Sequence, residues 1–266
     1  MSAYRLSRED FLRGASSLDD ASFDLAIVDP PYGASTGAAW KIAADHALQG
    51  MGGKWDLASH AWDRIEGLES LRFTLAWLHE VRRLVKPTGS LWIHGTYHNA
   101  GIANVACQML GLEIINEVVW YKRNAFPNLS ARRMTASHET ILWVHTGGAK
   151  DRRYRFNYED VKAADYESDQ LKKPGKQLRT VWDIPNNKAA DELAHGKHPT
   201  QKPLRVVERI LAVSGLSGGA LLVPFAGSGS EMVGGLRYGM RPIGFEVEAE
   251  YHSLAIRRLE AELGTR

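Results

Sequence analysis

The sequence is poor in cysteine and has no long apolar run. Its only cysteine, Cys107, excludes an internal disulfide, a CxxC redox pair and a cysteine-based zinc site, and we predict no metal site. The surrounding NVACQML has helical apolar spacing, which predicts a buried structural thiol. No segment approaches the roughly 18 apolar residues of a membrane span, and the amino terminus lacks the apolar core of a secretory signal. These absences predict a soluble, cytoplasmic protein.

The composition is that of a globular chain with one core. With 266 residues, 44% of them hydrophobic and 24% charged, it predicts a single catalytic domain over residues 1–266. The net charge is only +2, but residues 121–205 hold 17 Lys plus Arg against 10 Asp plus Glu, and the rest holds 16 against 21. A basic middle section is what a polyanion-binding face needs. On charge alone, a solvated surface explains it equally well.

Short apolar runs alternate with amphipathic stretches, as in an α/β protein with a mainly parallel sheet. Helices are predicted over residues 68–84, 100–110 and 204–213, the first ending before Lys86-Pro87. The strand candidates are DLAIVD (24–29), SLWIHG (90–95), EVVWYK (117–122), TILWVH (140–145), ALLVPF (220–225) and PIGFEV (242–247).

Two segments lack this regular pattern. Residues 33–61 follow the first strand candidate and are rich in glycine. A long loop inside a compact domain is usually functional, so we predict a mobile lid there. Residues 150–197 are rich in charge and are interrupted by proline and glycine. This insert is the best candidate for a specificity region.

The tetrapeptide Asp29-Pro30-Pro31-Tyr32 stands where the first strand candidate ends. An exocyclic amino nitrogen on a nucleobase is a poor nucleophile because its lone pair is delocalised into the ring. The Asp29 carboxylate and the Pro30 carbonyl can accept its hydrogens and localise that pair, while Pro31 fixes the backbone and adds no competing N–H. Tyr32 offers a face for an extruded base. An ordinary strand-ending turn is the alternative.

The segment FAGSGS, residues 225–230, directly follows the apolar run ALLV. Glycines after a strand let the backbone approach a ligand, and the next helix presents free N–H groups. About 20 residues on, Glu246 ends the next strand candidate, where a carboxylate can accept from ribose hydroxyls. Because a nicotinamide enzyme has the same layout, this pair predicts a nucleoside ligand rather than a reaction.

The segment HPTQKP, residues 198–203, leads into the helix predicted at residue 204. Thr200 and the prolines are typical of a helix start. Taken alone, the segment is a helix cap with a surface histidine at His198.

DPPY, HPTQKP and FAGSGS, in that order, resemble the motifs of the β-class of S-adenosyl-L-methionine (AdoMet)-dependent DNA amino-methyltransferases. The resemblance covers nearly the whole chain. It includes PNLSARRMTASHETILW (127–143), RFNYEDVK (155–162) and QLRTVWDIP (177–185), which look like target-binding segments of the adenine enzymes. It implies a Rossmann-like fold, a mixed, mainly parallel seven-stranded sheet with helices on both faces, and a target-recognition region within residues 122–197.

The resemblance also implies roles for individual residues. Asp10 would bind the cofactor adenine, Glu246 would hold the ribose, and the HPTQKP segment would close over AdoMet. Transfer to the amino nitrogen would be direct and in line, with no covalent enzyme intermediate, which agrees with Cys107 lacking a Pro-Cys setting. The cofactor-binding candidates are Asp10, His198, Pro199, Thr200, Lys202, Phe225, Ala226, Gly227, Ser228, Gly229 and Glu246. The candidates for DNA contacts are Lys122, Arg123, Arg132, Arg133, Arg152, Arg153 and Arg155.

Three positions depart from the family pattern. Val223 stands where the family usually has an aspartate that helps to hold the methionine amino group, so that contact would fall to Asp29 or to the backbone. Gly33 replaces the asparagine that often follows DPPY in adenine enzymes, and Ser230 replaces a common threonine.

The leading hypothesis is therefore a site-specific methyltransferase that flips an adenine out of double-stranded DNA and methylates its N6 amino group. N4-cytosine methylation is the main alternative, although many such enzymes carry serine where this chain has Asp29. A catalytically silent DNA-binding protein and a nicotinamide oxidoreductase are further alternatives. The resemblance also suggests a homodimer and a cognate restriction endonuclease as partners.

Overall fold

The structure, a computed structural model, describes residues 3–32, 67–129, 132–147, 151–166, 169–186 and 188–265. The lid predicted at residues 33–61 lies outside these ranges. Within them, no helix combines the length and the apolar character needed to cross a membrane.

Eight strands form one sheet in the order β1-β8-β7-β2-β3-β5-β4-β6. All neighbours run parallel except β5, which is antiparallel to both β3 and β4. The mixed, mainly parallel Rossmann-like sheet is thus confirmed. The strands are β1 Arg5–Ser7, β2 Phe23–Val28, β3 Val85–Gly95, β4 Glu113–Tyr121, β5 His138–His145, β6 Val181–Asp183, β7 Ala220–Val223 and β8 Arg241–Phe245.

The predicted number of seven strands was wrong. Strand β6, which was not among the strand candidates, lies inside the predicted target-recognition region and pairs in parallel with the end of β4, Val119 opposite Val181. It is held at the sheet edge by Trp182, whose side chain is 1% exposed and joins the core.

Helices cover both faces of the sheet. In β2 the side chains alternate, as the strand period requires: Leu25 and Ile27 join the core beneath α6 and α7, while Ala26 and Val28 join the core beneath α2 and α3. The helices are α1 Phe11–Gly14, α2 Gly67–Leu84, α3 Ala100–Met109, α4 Tyr158–Ala163, α5 Ala190–Leu193, α6 Leu204–Ser214, α7 Ser230–Arg237 and α8 Ala249–Gly264.

The single cysteine lies in the second of these cores. Cys107, on α3, is fully buried and unpaired, which confirms the structural thiol. Burial raises the pKa of Cys107 to about 12, so the thiol stays protonated and is a poor nucleophile near neutral pH.

The parallel order brings the carboxyl ends of β1, β8, β7 and β2 to one edge of the sheet. Open α/β sheets bind ligands outside this edge, where the strand order reverses. Here β2 lies between β7 and β3, so the residues that follow β2 and β7 are neighbours although they are far apart in sequence. We refer to this edge as the cavity edge.

Candidate active site

A cavity of about 210 Å³ opens at the cavity edge. Its wall combines the residues that follow β1, β2, β7 and β8 with the segment before α6. The structure thereby brings together most of the predicted catalytic and cofactor residues. Those in the wall are Asp10, Asp29, Pro30, Pro31, Tyr32, His198, Thr200, Lys202, Phe225, Ala226, Gly227, Ser228 and Glu246. Pro199 and Gly229 are not part of the wall formed by the described residues.

Asp29 accepts hydrogen bonds from two other predicted site residues, Lys202 and Tyr32. The Lys202 ammonium donates to Asp29 Oδ2 at 2.7 Å, and the Tyr32 hydroxyl donates to Asp29 Oδ1. Lys202 also contacts the Tyr32 oxygen and reaches the Thr200 carbonyl at 3.5 Å. Burial and the Asp29 carboxylate raise the pKa of Tyr32 well above its ordinary value, so its hydroxyl remains a donor to Asp29.

Lys202 is a buried cation among carboxylates. Its side chain is only 2% exposed, and Glu139 Oε2 lies 3.7 Å from its ammonium. Although burial opposes the charged form, Asp29 and Glu139 raise the pKa of Lys202. Glu139 also pairs with Lys122 at 3.0 Å. Asp29 is therefore one member of an ionic network centred on the buried Lys202.

Glu246, at the end of β8, is hydrogen-bonded to the segment at residues 225–230, which we call the glycine loop. One Glu246 oxygen accepts from the Gly227 N–H at 2.8 Å, and the other accepts from the Glu248 N–H at 2.8 Å. Gly227 has φ +49°, and Gly229, which caps α7, has φ +79°, conformations that favour glycine. Each Glu246 oxygen keeps a second lone pair for a ligand hydroxyl.

Aromatic rings form the apolar part of the wall. Phe225 packs against Phe11, Phe73 and Trp77 with ring centroids 5.9 to 6.2 Å apart. On the other side, the His198 ring packs edge-on against Tyr251 at 4.1 Å. A flat apolar ligand group fits between such surfaces.

Glu231 contributes a second buried carboxylate to the cavity wall. It is 3% exposed, and its Oε1 has no hydrogen-bond partner among the described residues. Burial and the nearby Asp29 raise the pKa of Glu231 to about 7. Val223, in contrast, is fully buried in the core beneath α6 and α7.

Two of the predicted DNA contacts are exposed close to the cavity edge. The Arg133 guanidinium donates to the Tyr97 hydroxyl at 2.7 Å, and Tyr97 follows the end of β3 beside Asp29. Arg132 is its exposed neighbour. Lys122 and Arg123 also lie at this edge, but they form ion pairs with Glu139 and Asp183, at 3.0 and 2.8 Å.

The other three predicted DNA contacts, Arg152, Arg153 and Arg155, lie away from the cavity. Because β5 is antiparallel, the chain leaves it at the opposite edge, where His145 pairs with Ser90. The segment then runs to Asn157, which donates to carbonyls of Ala212 and Gly215 at the far end of α6. The structure therefore does not bring these arginines together with Asp29.

Sequence reasoning missed several residues of the site. Glu139 lies near the start of the buried strand β5, and Glu231 follows the glycine loop. In each case the sequence signal was a carboxylate within a segment of apolar or small residues. Phe11 and Phe73 carry no such signal, because an aromatic residue at helical spacing is usually ordinary core.

The model of the DNA methylase family N6_N4_Mtase matches residues 23–257. The chain is 36% identical over 259 residues to the Type II methyltransferase M2.DpnII of Streptococcus pneumoniae, covering 97% of this chain and 90% of that protein.

Two solved structures share the fold. The M1.HpyAVI–SAM complex superimposes with a TM-score of 0.62 at 20% identity, covering 96% of this chain and 99% of that one. The PvuII DNA methyltransferase, which is cytosine-N4-specific, gives a TM-score of 0.70 at 16% identity, with 98% and 92% covered. The family match shows, in agreement with the site geometry, that this chain belongs to the N6_N4_Mtase family of AdoMet-dependent DNA methyltransferases.

Proposed function

We propose that this protein methylates the N6 amino group of adenine at specific sites in double-stranded DNA, after flipping the base out of the helix. The observation that carries the proposal is the position of Asp29. Its carboxylate is held at the cavity wall by Lys202 and Tyr32, next to the glycine loop that follows the neighbouring strand β7.

The hydrogen-bonding groups in the cavity wall match those of AdoMet. Carboxylates at Asp10 and Glu246 can accept from the adenine amino group and the ribose hydroxyls, and aromatic rings flank the space between them. The loop around Gly227 allows close approach of the backbone. When bound, AdoMet supplies a methyl group on a positively charged sulfur.

The residues around Asp29 prepare the target base. Asp29 accepts a hydrogen bond from the base amino group and Pro30 offers its carbonyl as a second acceptor, which localises the nitrogen lone pair. Lys202 holds Asp29 in place through their ion pair at 2.7 Å. The Tyr32 hydroxyl occupies Asp29 Oδ1 in this structure, so base entry requires Tyr32 to give up that bond and present its ring for stacking.

The proposed DNA-contacting surface consists of Arg132, Arg133 and Tyr97 at the cavity edge. Base extrusion costs a few kcal/mol, and exposed cations at this edge can offset that cost by binding phosphates. Within residues 122–197, the part that connects β4 to β5 lies at the cavity edge, where Arg133 contacts Tyr97, and this supports it as the target-recognition region.

N4-cytosine methylation is the alternative that a specific finding favours. The fold is similar to that of PvuII DNA methyltransferase, which is cytosine-N4-specific, and Asp29 could polarise either amino group. Asp29 itself favours adenine, since many N4-cytosine enzymes carry serine there. The name of M2.DpnII, a Type II methyltransferase, further supports a restriction-modification setting with a cognate endonuclease.

Modification-sensitive sequencing of DNA from cells that express the protein tests this proposal. We expect N6-methyladenine at one short recurring sequence, and none in cells that express Asp29→Ala. N4-methylcytosine at such a sequence would replace the adenine assignment with the alternative.

A further inference from the structure

Glu231 is a buried carboxylate that lacks a cation. It is the second residue of α7, directly after the glycine loop, and it lines the cavity while being only 3% exposed. No described Lys, Arg or His nitrogen forms an ion pair with it within 4.0 Å, and its Oε1 accepts no hydrogen bond from the described residues. A buried charge in this state is costly unless a ligand pairs with it.

One carboxylate and two cations face Glu231, and neither cation forms an ion pair with it within 4.0 Å. The three groups are Asp29, Lys202 and Arg258. Lys202 donates to Asp29 and to Tyr32. Arg258, from α8, donates through Nη1 to Ser228 and Ser230, while its Nη2 has no hydrogen-bond partner among the described residues. Glu231 Oε1 likewise has no donor among the described residues, and the Glu231 side chain is part of the cavity wall.

The strand order gives the two ends of the cavity different chemistry. Asp10 and Glu246 follow β1 and β8, whereas Asp29 follows β2 and Glu231 follows β7, the strand beside β2. A methyl donor must direct the methyl group on its sulfur at the amino nitrogen that Asp29 holds, so the sulfur lies near Asp29. The amino-acid portion is attached to that same sulfur, so it lies at the end of the cavity that contains Glu231.

We propose that Glu231 binds the α-ammonium group of the methionine portion of AdoMet. Val223 cannot do so, because its apolar side chain lies in the core, and Asp29 is already paired with the Lys202 ammonium. The proposal rests on the AdoMet dependence of the family and is independent of which base is methylated.

Calorimetry without DNA tests the proposal with two ligands. S-adenosylhomocysteine keeps the ammonium group, whereas 5′-methylthioadenosine has the same adenosine thioether and no amino-acid portion. Glu231→Gln should weaken S-adenosylhomocysteine binding by about 10- to 100-fold, the worth of a hydrogen bond between charged groups. Its affinity for 5′-methylthioadenosine should stay within about twofold of the wild type.

Glu260→Gln is the matched control, because it removes one negative charge from an exposed position of α8. It should leave both affinities unchanged. An equal loss for both ligands in Glu231→Gln would mean a structural role and would overturn the proposal, as would unchanged affinity for S-adenosylhomocysteine. Since no DNA is present, a failure here is distinct from a wrong target base.

The wild-type protein provides a second test that needs no variant. The raised pKa of Glu231, about 7, predicts that its carboxyl is mostly protonated at pH 6.5 in the free protein, and an ammonium partner requires its ionised form. Binding of S-adenosylhomocysteine should therefore release protons, measured as a dependence of the binding enthalpy on the buffer. Equal proton release with 5′-methylthioadenosine would contradict the proposal even if Glu231→Gln did not fold.

Discussion

The Lys202 ammonium lies 2.7 Å from Asp29 Oδ2, although 173 residues separate the two in the chain. This ion pair joins the DPPY and HPTQKP segments at the cavity edge. Lys202 also lies 3.7 Å from Glu139 Oε2. One buried ammonium thus contacts two carboxylates, so the folding of this site and its proposed chemistry depend on the same residue.

Lys202→Met should strongly destabilise the protein. Removing the cation leaves Asp29 without its ion-pair partner and Glu139 with Lys122 alone, and breaking a buried ion pair typically costs about 3–5 kcal/mol. The free energy of unfolding from urea titration at pH 7.5 measures this. Lys162→Met is the control, since Lys162 is 38% exposed and its ion pair with Glu159 should contribute less than about 1 kcal/mol. Equal effects of the two substitutions would contradict a structural role for the buried network.

Tyr32 should act through its ring more than through its hydroxyl. Tyr32→Phe keeps the stacking surface, so kcat/KM should fall by less than about tenfold. Tyr32→Ala removes the surface and should lower kcat/KM by about 10- to 100-fold, in line with the worth of base–aromatic stacking. Steady-state kinetics on duplex DNA with adenine at the target position measures both, and 2-aminopurine fluorescence in a separate duplex reports base extrusion. If the two variants lose the same activity, the ring has no role in holding the base.

Glu231 should make the unliganded protein less stable at high pH. Its folded pKa of about 7 is raised above the ordinary value of 4.5. The protonated carboxyl therefore contributes stability that is fully present below pH 4.5 and is lost as pH rises through 7. Glu231→Gln lacks this titration.

The variant should accordingly match the wild type near pH 5 and exceed its stability by on the order of 2 kcal/mol at pH 8. Urea titrations at the two pH values measure the difference. Parallel pH profiles for the two proteins would show that Glu231 is not held in its buried, uncompensated state.

The arginines on the two edges of the sheet should differ in their effect on DNA binding. Arg133 lies at the cavity edge with Tyr97, so Arg133→Gln should remove one phosphate contact and reduce the slope of log K against log salt by about 1. Arg152, at the opposite edge, provides the matched control, and Arg152→Gln should leave the slope unchanged. Fluorescence anisotropy over a salt series measures both, and the reverse result would place DNA on the other edge.

Much of the fold was predictable because its central strands are continuous apolar runs. The runs at 24–29 and 220–225 became β2 and β7, and residues 68–84 became α2 almost to the residue. β1 and β6 have three residues each, too few for any periodicity to show. They form because neighbouring strands offer free edges, which is a tertiary effect.

The site was predictable where the functional residues are contiguous in one short segment. The DPPY and glycine-loop residues line one cavity because both follow parallel strands. The DNA contacts were less predictable: Arg133 and Arg152 are close in sequence, but the antiparallel β5 carries the chain between them to the opposite edge. Glu231 was missed because an acidic residue in the first turn of a helix usually only favours the helix dipole.

Mass spectrometry of nucleosides tests the central claim most directly. Purified protein is incubated with duplex DNA and AdoMet that carries a labelled methyl group, and the DNA is then digested to nucleosides. We predict labelled N6-methyladenine, absent when Asp29→Ala replaces the wild type and retained with the exposed control Asp19→Ala. Labelled N4-methylcytosine without N6-methyladenine, or full activity in Asp29→Ala, would contradict the account.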